Sequence, residues 1–303
     1  MLMAEELYSY KNGNYQVSLY SDGTKVREGS DLIPEYPESI DVKITDFCEE
    51  KCSFCYEGCT PSGKASPIVN YFKFFSELPK GTELAIGGGD PLTHPTLDYF
   101  LQFLKELCEL VPNLTINGSQ LKSKALNKIL QRKSIYGLGV SYNENYLDDL
   151  LKFDYWHTVV HFVIGIHSFD TVMEFLERKP ESKILLLGFK NQGRAKTLYS
   201  KTQEEIDNNL KRWNQQAYKL LANKEAVISF DTLGTKQLKL QRFFTKEGWN
   251  KYFMGEDGQY TMYLDLVNSQ YAVSSTFETR FNIPNNATMK ELFKHVRELW
   301  QTT

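Results

Sequence analysis

The sequence predicts an α/β protein: a partial, six-unit β/α barrel open on one side, with an N-terminal β-hairpin before it and a small C-terminal α+β extension after it. Three observations carry this. Short apolar strand segments alternate with amphipathic helical ones about every 25 to 35 residues, the rhythm of a parallel sheet with helices packed outside it. Ahead of them, in YQVSLYSDGTKVREG, alternating residues flank the pair Asp22-Gly23, a short-range hairpin signal. After Gly248 the texture changes to WNKYFMGEDGQYTMYLDLVNSQYAVSSTF, where two strand-like runs meet near Asn268-Ser269.

Taken in order, residues 1–38 form the hairpin segment, 39–235 the barrel and 236–303 the extension. The six barrel strands fall at 40–45, 83–86, 114–117, 137–141, 158–164 and 183–188, each followed by a helical segment. One such helix follows Pro95, where Leu97, Phe100, Leu101, Leu104, Leu107 and Cys108 make one apolar stripe. The repeat then loosens into a long polar helix near 203–221 and a further strand at 226–230. The chain closes with a hairpin and a helix over Met289–Trp300, which reads as an extension packed on the main domain rather than as more βα units.

Composition sets outer bounds. With 303 residues, one large α/β domain or two modest ones are equally normal. Hydrophobic residues at 41% and charged ones at 24% are those of a chain folded throughout. A net charge of -3 gives no electrostatic reason for an obligate nucleic-acid or anionic-lipid partner. The longest apolar stretch, 159–166, falls well short of the roughly 20 residues a membrane span needs. The start, MLMAEELYSY, carries acids where a secretory signal carries bases, so a cytoplasmic location is expected. Four of the five cysteines crowd between Cys48 and Cys59, which in a reducing compartment points to metal binding rather than disulfides.

The chemistry concentrates in ITDFCEEKCSFCYEGC, directly after the first barrel strand. Three thiolates in one loop can hold an iron–sulfur cluster and leave one iron open to a further ligand. A structural zinc site is the alternative; it would ordinarily pair this loop with a second Cys or His pair, and none follows in the chain.

The spacing Cys48-x3-Cys52-x2-Cys55, with Phe54 before the third cysteine, resembles the signature of the radical S-adenosylmethionine (SAM) superfamily. The resemblance runs from about Ile40 to Arg194. It implies a [4Fe–4S] cluster on Cys48, Cys52 and Cys55, with SAM chelated to the fourth iron. It also implies a 5′-deoxyadenosyl radical that abstracts hydrogen from a substrate, with Phe54 packing near the adenine. A second match is ELAIGGGDPLTHP, where the family carries Gly-Gly-Glu-Pro to receive the methionine amino group. Gly88 and Gly89 would let backbone approach the cofactor, and Asp90 stands where Glu is usual, one methylene shorter with its charge kept. Further along, Asn117, Ser141 and Asn143 match positions of ribose and carboxylate contacts. Ile164, and Phe189, Lys190 and Asn191 in LLGFKNQGR, match segments beside the adenine.

Cys59 could donate a hydrogen atom to a product radical or serve as a labile fourth ligand, although a spare thiol is the commoner case. Cys108 reads as a small core residue. His94, His157, His161 and His167 read as structural first, with His94 near enough to Asp90 to approach a cofactor. Peptide-modifying members of the family carry a cysteine-rich C-terminal extension with auxiliary clusters. Here no cysteine follows Cys108, and the segment 255–275 is similar in placement to that extension without its ligands. The resemblance thus implies a peptide or protein substrate and an electron donor such as flavodoxin or ferredoxin. Two alternatives stand beside it: the same chemistry on a small molecule such as a nucleoside or pterin precursor, and a non-catalytic cluster- or zinc-binding module.

Overall fold

The computed structural model describes residues 4–302. The first three strands, β1 (Glu6–Asn12), β2 (Tyr15–Tyr20) and β3 (Lys25–Glu28), make a three-stranded antiparallel sheet in chain order. The expected hairpin is β2–β3, with Asp22 Oδ1 accepting from the Thr24 amide and Gly23 at φ +91°. The expectation omitted β1, which pairs with β2 from Glu6 opposite Tyr20 to Asn12 opposite Tyr15. A Gly13-Asn14 pair, with Gly13 at φ +65°, turns it, a two-residue hairpin signal the sequence also carried.

The main wall runs β4 (Ser39–Thr45), β5 (Glu83–Gly88), β6 (Val111–Asn117), β7 (Gly137–Ser141), β8 (Thr158–Val163), β9 (Lys183–Leu187) and β10 (Val227–Phe230), each parallel to the next. On the other flank of β4 lie β11 (Thr261–Asp265), parallel to it, then β12 (Gln270–Ala272) and β13 (Phe281–Asn282), antiparallel. The result is one ten-stranded sheet with β10 and β13 at its edges. The open α/β barrel expected from the sequence is present: the further strand expected at 226–230 is β10, which extends the parallel run past six strands, and the hairpin expected near Asn268-Ser269 is β11–β12, which joins the wall through the pairing of β11 with β4. The residues Met262 to Asp265 are all buried, so β11 has both faces covered and belongs inside a sheet.

Nine α-helices occur among the described residues: α1 (Phe72–Ser76), α2 (Leu97–Gln102), α3 (Lys124–Gln131), α4 (Leu147–Lys152), α5 (Phe169–Arg178), α6 (Gly193–Leu221), α7 (Thr232–Gln237), α8 (Lys246–Tyr252) and α9 (Met289–Trp300). None is long and apolar enough to cross a membrane. The chain turns back between strands through α1 to α6, and alternate strand residues such as Ile40, Val42, Leu84, Ile86, Val160 and Phe162 are buried in the core they share with those helices. Residues of the opposite parity, including Asp41, Lys43, Ala85, Gly87, Thr115, Gly139 and His161, line the inner face of the open barrel. The apolar stripe expected after Pro95 holds through Phe100, Leu101 and Leu104 but fails at Leu107, which is 75% exposed. A π-turn over Phe103–Leu107, closed by the Cys108 amide on the Phe103 carbonyl, inserts a residue and rotates Leu107 outward.

The N-terminal sheet seals the lower, N-terminal ends of the barrel strands. Glu38, 1% exposed and one residue before β4, accepts both contacts of the Arg27 Nε at 2.8 and 3.0 Å and the Tyr15 hydroxyl at 2.5 Å. Lys25 bridges to Glu83 at 2.7 Å, and Tyr136 donates to the Ser21 carbonyl at 2.5 Å.

Candidate functional site

At the upper end of β4 the cysteine loop folds back on itself. The Asp46 amide donates to the Lys64 carbonyl, and the Thr60 amide to Asp46. The Cys48 amide donates to Thr60 and the Cys55 amide to Cys52. All the cysteines are free thiols; Cys48, Cys52 and Cys55 are half-buried, and Cys59 is only 2% exposed. Burial first raises the pKa values of Cys48 and Cys52, and neighbouring thiolate charge adds to it, from Cys55 on Cys48 and from Cys48 and Cys55 on Cys52. The Cys59 thiol hydrogen-bonds the Cys55 sulfur, which holds Cys55 down to about 6 and pushes Cys59 far up.

The end of β5 packs directly under this loop. The Gly89 amide donates to Thr45 at 2.7 Å and the Asp90 amide to Phe47 at 2.6 Å. A Cβ on Gly88, whose φ is +113°, would stand 2.5 Å from the Thr45 carbonyl oxygen, and one on Gly89 2.1 Å from that of Phe47. These two glycines therefore admit the backbone of the cysteine loop. The open one is Gly87, where a Cβ would meet nothing nearer than Thr115 at 3.9 Å. Asp90 accepts from the Leu92 amide at 3.0 Å, and burial raises its pKa against the pull of Gln120.

Along the same upper edge, Asn117 Oδ1 accepts from Asn143 Nδ2 at 3.1 Å, and Ser141 stands in register between Asn117 and His161. Ser119 ties this edge to the cysteine loop by donating to Glu50 at 2.5 Å. The Phe54 ring meets His167 edge-on at 6.0 Å, beside the end of β8. Phe54, Asp90, Asn117, Ser141 and Asn143 are thus gathered on one rim. The Ile164 side chain is fully buried in the core, Phe189 packs with Ala195 and Ile206 of α6, and Asn191 is exposed. Lys190 turns inward, donating to Ser275 at 3.0 Å and sitting 4.0 Å over the Tyr56 ring. Of the histidines, His94 is held by the Ser66 carbonyl and Thr96, His157 stacks on Tyr136, and the His167 Nδ1 accepts from the Val163 amide. His161 is the one whose ring faces inward, over Gly139, and burial brings its pKa down to about 4.

Several side chains at the site were not singled out in the sequence. Lys43, buried beneath the loop, reaches Asp46 at 2.6 Å, Glu57 at 3.0 Å and Asp265 at 3.3 Å. Burial pulls its pKa down, but Glu57, Asp46 and Asp265 outweigh this and hold it above the ordinary lysine value. Asp265 comes from β11, over 200 residues away, so only the alternation of β4 carried any signal. Arg194 reaches back from α6 to the carbonyls of Cys52, Cys55 and Cys59. On the open side, a cavity of about 1110 Å³ runs between β10, the C-terminal segment and the β2–β3 end of the N-terminal sheet, with Asp41, Lys190 and Asp231 among its walls.

The donor set suits an iron–sulfur cluster. Among the described residues no three His, Cys, Asp or Glu side chains converge as they would on a single metal ion. A cubane places each cysteine on a separate iron, which calls for thiols in one loop yet apart from one another. Cys48, Cys52 and Cys55 are carried as free thiols on one loop held by its own hydrogen bonds.

A parallel β/α wall left open at one side, with a cysteine loop at the upper end of its first strand, is a fold shared with proteins already solved. The chain is similar to SuiB of Streptococcus suis, with a TM-score of 0.62 at 16% identity over 89% of this chain and 69% of SuiB. It is likewise similar to SuiB bound to S-adenosylmethionine (0.61, 15%, covering 88% and 68%) and to SuiB bound to the precursor peptide SuiA (0.60, 14%, covering 89% and 68%). The likeness is one of fold. No protein-family model matches the sequence, and no curated protein matches it either.

Proposed function

We propose that this chain is a radical SAM enzyme acting on a peptide or protein. The observation that carries the proposal is the Cys48-x3-Cys52-x2-Cys55 loop, seated on the Gly88-Gly89-Asp90 turn at the upper end of β4 and β5. Cys48, Cys52 and Cys55 would hold one [4Fe–4S] cluster. When bound and reduced, that cluster supplies the electron that splits the sulfonium of SAM and frees a 5′-deoxyadenosyl radical to take hydrogen from the substrate. Asp90 would receive the methionine ammonium, its carboxylate suited to a cation. Asn117, Ser141 and Asn143 would meet the ribose and carboxylate. Phe54, the Ile164 backbone and the segment Phe189 to Asn191 would border the adenine.

Two findings support a peptide as substrate. The lateral cavity of about 1110 Å³ lies on the unclosed side of the wall, where an extended substrate would have room to enter. SuiB, whose fold this chain shares, has been solved with a precursor peptide bound. In this reading residues 1–38 seal the barrel below, 39–235 hold the cofactor, and 236–303 complete the wall beside the substrate. A reducing, cytoplasmic setting and a donor such as flavodoxin or ferredoxin belong to the same proposal.

The test is anaerobic reconstitution with iron and sulfide, then reduction with SAM and chromatography for 5′-deoxyadenosine. Wild type is expected to bind iron and sulfide and release that nucleoside, more of it with a suitable peptide. Cys52→Ser should lose both iron and product. A protein that takes up zinc but no sulfide would overturn the proposal.

A further inference from the structure

Among the side chains that reach the cysteine loop from outside, Arg194 is the one that takes hold of its backbone beside the cysteines. Arg194, the second residue of α6, donates its backbone amide to the Cys55 carbonyl at 3.0 Å. Its Nε reaches the Cys52 carbonyl at 3.0 Å, and its Nη1 the Cys59 carbonyl at 2.5 Å. Gly193 before it stands at φ +53°, where a Cβ would fall 2.4 Å from the Tyr56 carbonyl oxygen, so the strand-to-helix turn lies flat against the loop. Gln192 anchors the same turn to the C-terminal segment by donating to Thr276 at 2.7 Å.

We infer that Arg194 is a positioning residue with two separable effects: its planar guanidinium fixes the spacing of the Cys52–Cys59 half of the loop, and its charge favours the reduced cluster. The inference rests on the cluster reading above. One rigid fork joins carbonyls seven residues apart in sequence and brackets Cys55, whereas Cys48 depends on the loop's own bond to Thr60. One-electron reduction adds one negative charge to the cluster. A fixed cation touching the carbonyl of a ligand residue stabilises that added charge, and hydrogen bonds and net charge around a cluster set its potential. A lysine at this position would keep the charge but lose the fork.

The test compares wild type, Arg194→Gln and Arg194→Lys as full chains, by two measurements. In the metal-free proteins, hydrogen exchange of amides 48–60 should quicken about tenfold in both variants, while amides of β6 and β7 stay as in wild type. In the reconstituted proteins, titration of the reduced-cluster paramagnetic signal against a low-potential chemical reductant should show a lower midpoint for Arg194→Gln. Arg194→Lys should remain close to wild type. Unchanged loop exchange in both variants would overturn the clamp, and an unmoved midpoint in Arg194→Gln would overturn the electrostatic effect. Should Arg194→Gln lose β6 and β7 protection, the Arg194→Lys exchange pattern alone decides the clamp. Wild type that binds no iron and sulfide would overturn the cluster reading and the electrostatic half with it; the metal-free exchange would still decide the clamp.

Discussion

Asp41 occupies the third position of β4, on the inner face, with its carboxylate exposed to the cavity among neighbouring walls and given no hydrogen bond among the described residues. Burial raises its pKa to about 6, against a smaller downward pull from Lys190. A carboxyl whose folded pKa exceeds its unfolded one stabilises the fold at pH below the unfolded value, near 4, and that contribution is lost as pH rises through 6. Asp41→Asn should therefore melt close to wild type at pH 4 and above it at pH 8, in thermal unfolding followed across that range. Equal differences at both ends would show that the carboxyl titrates normally. At this scale the sequence was legible only where residue types are distinctive. The cysteines and Gly88-Gly89-Asp90 announce themselves by spacing, whereas Asp41, Lys43 and Arg194 are ordinary charged residues until the fold brings their partners to them.

Individual elements show where pattern reading succeeds and where it fails. The six central strands were legible because parallel strands covered on both faces give short, dense apolar runs. The π-turn after α2 was not, since one inserted residue leaves composition untouched and alters only which side chain faces out, as at Leu107. The turn after β5 offers a direct test of what its glycines do. Gly89→Ala drives a methyl group into the Phe47 carbonyl, backbone against backbone, and should cost about 2 kcal/mol or more and lower iron uptake on reconstitution. Gly87→Ala meets only ordinary contact at 3.9 Å and should melt like wild type, while on the proposed function its methyl enters the inner face and should weaken SAM binding measured by calorimetry. If both variants melted alike, the close approach of the loop to Gly89 would be wrong.

Across the whole molecule, the sealing of the barrel floor depends on a few buried charges contributed by both sheets. Glu38→Gln would leave Arg27 and Lys25, each only about a tenth exposed, without their shared carboxylate. Removing one partner of such a buried set typically costs about 3–5 kcal/mol, so a clear fall in the urea midpoint is expected; a change under about 1 kcal/mol would mean that the floor is wetter than it looks. The pairing of β11 with β4 joins segments at opposite ends of the sequence and so left no local trace, which is why the extension read as packed on the main domain without being placed inside its wall. The barrel thus has a floor made by the N-terminal sheet and a roof made by the cysteine loop, and its cavity opens sideways between β10, the C-terminal segment and the β2–β3 end of the N-terminal sheet. A side door of that kind does not require threading. On the proposed function, a peptide entering there would present an interior bend with both of its ends remaining outside, so the residue altered would not have to lie near either end of the chain that carries it.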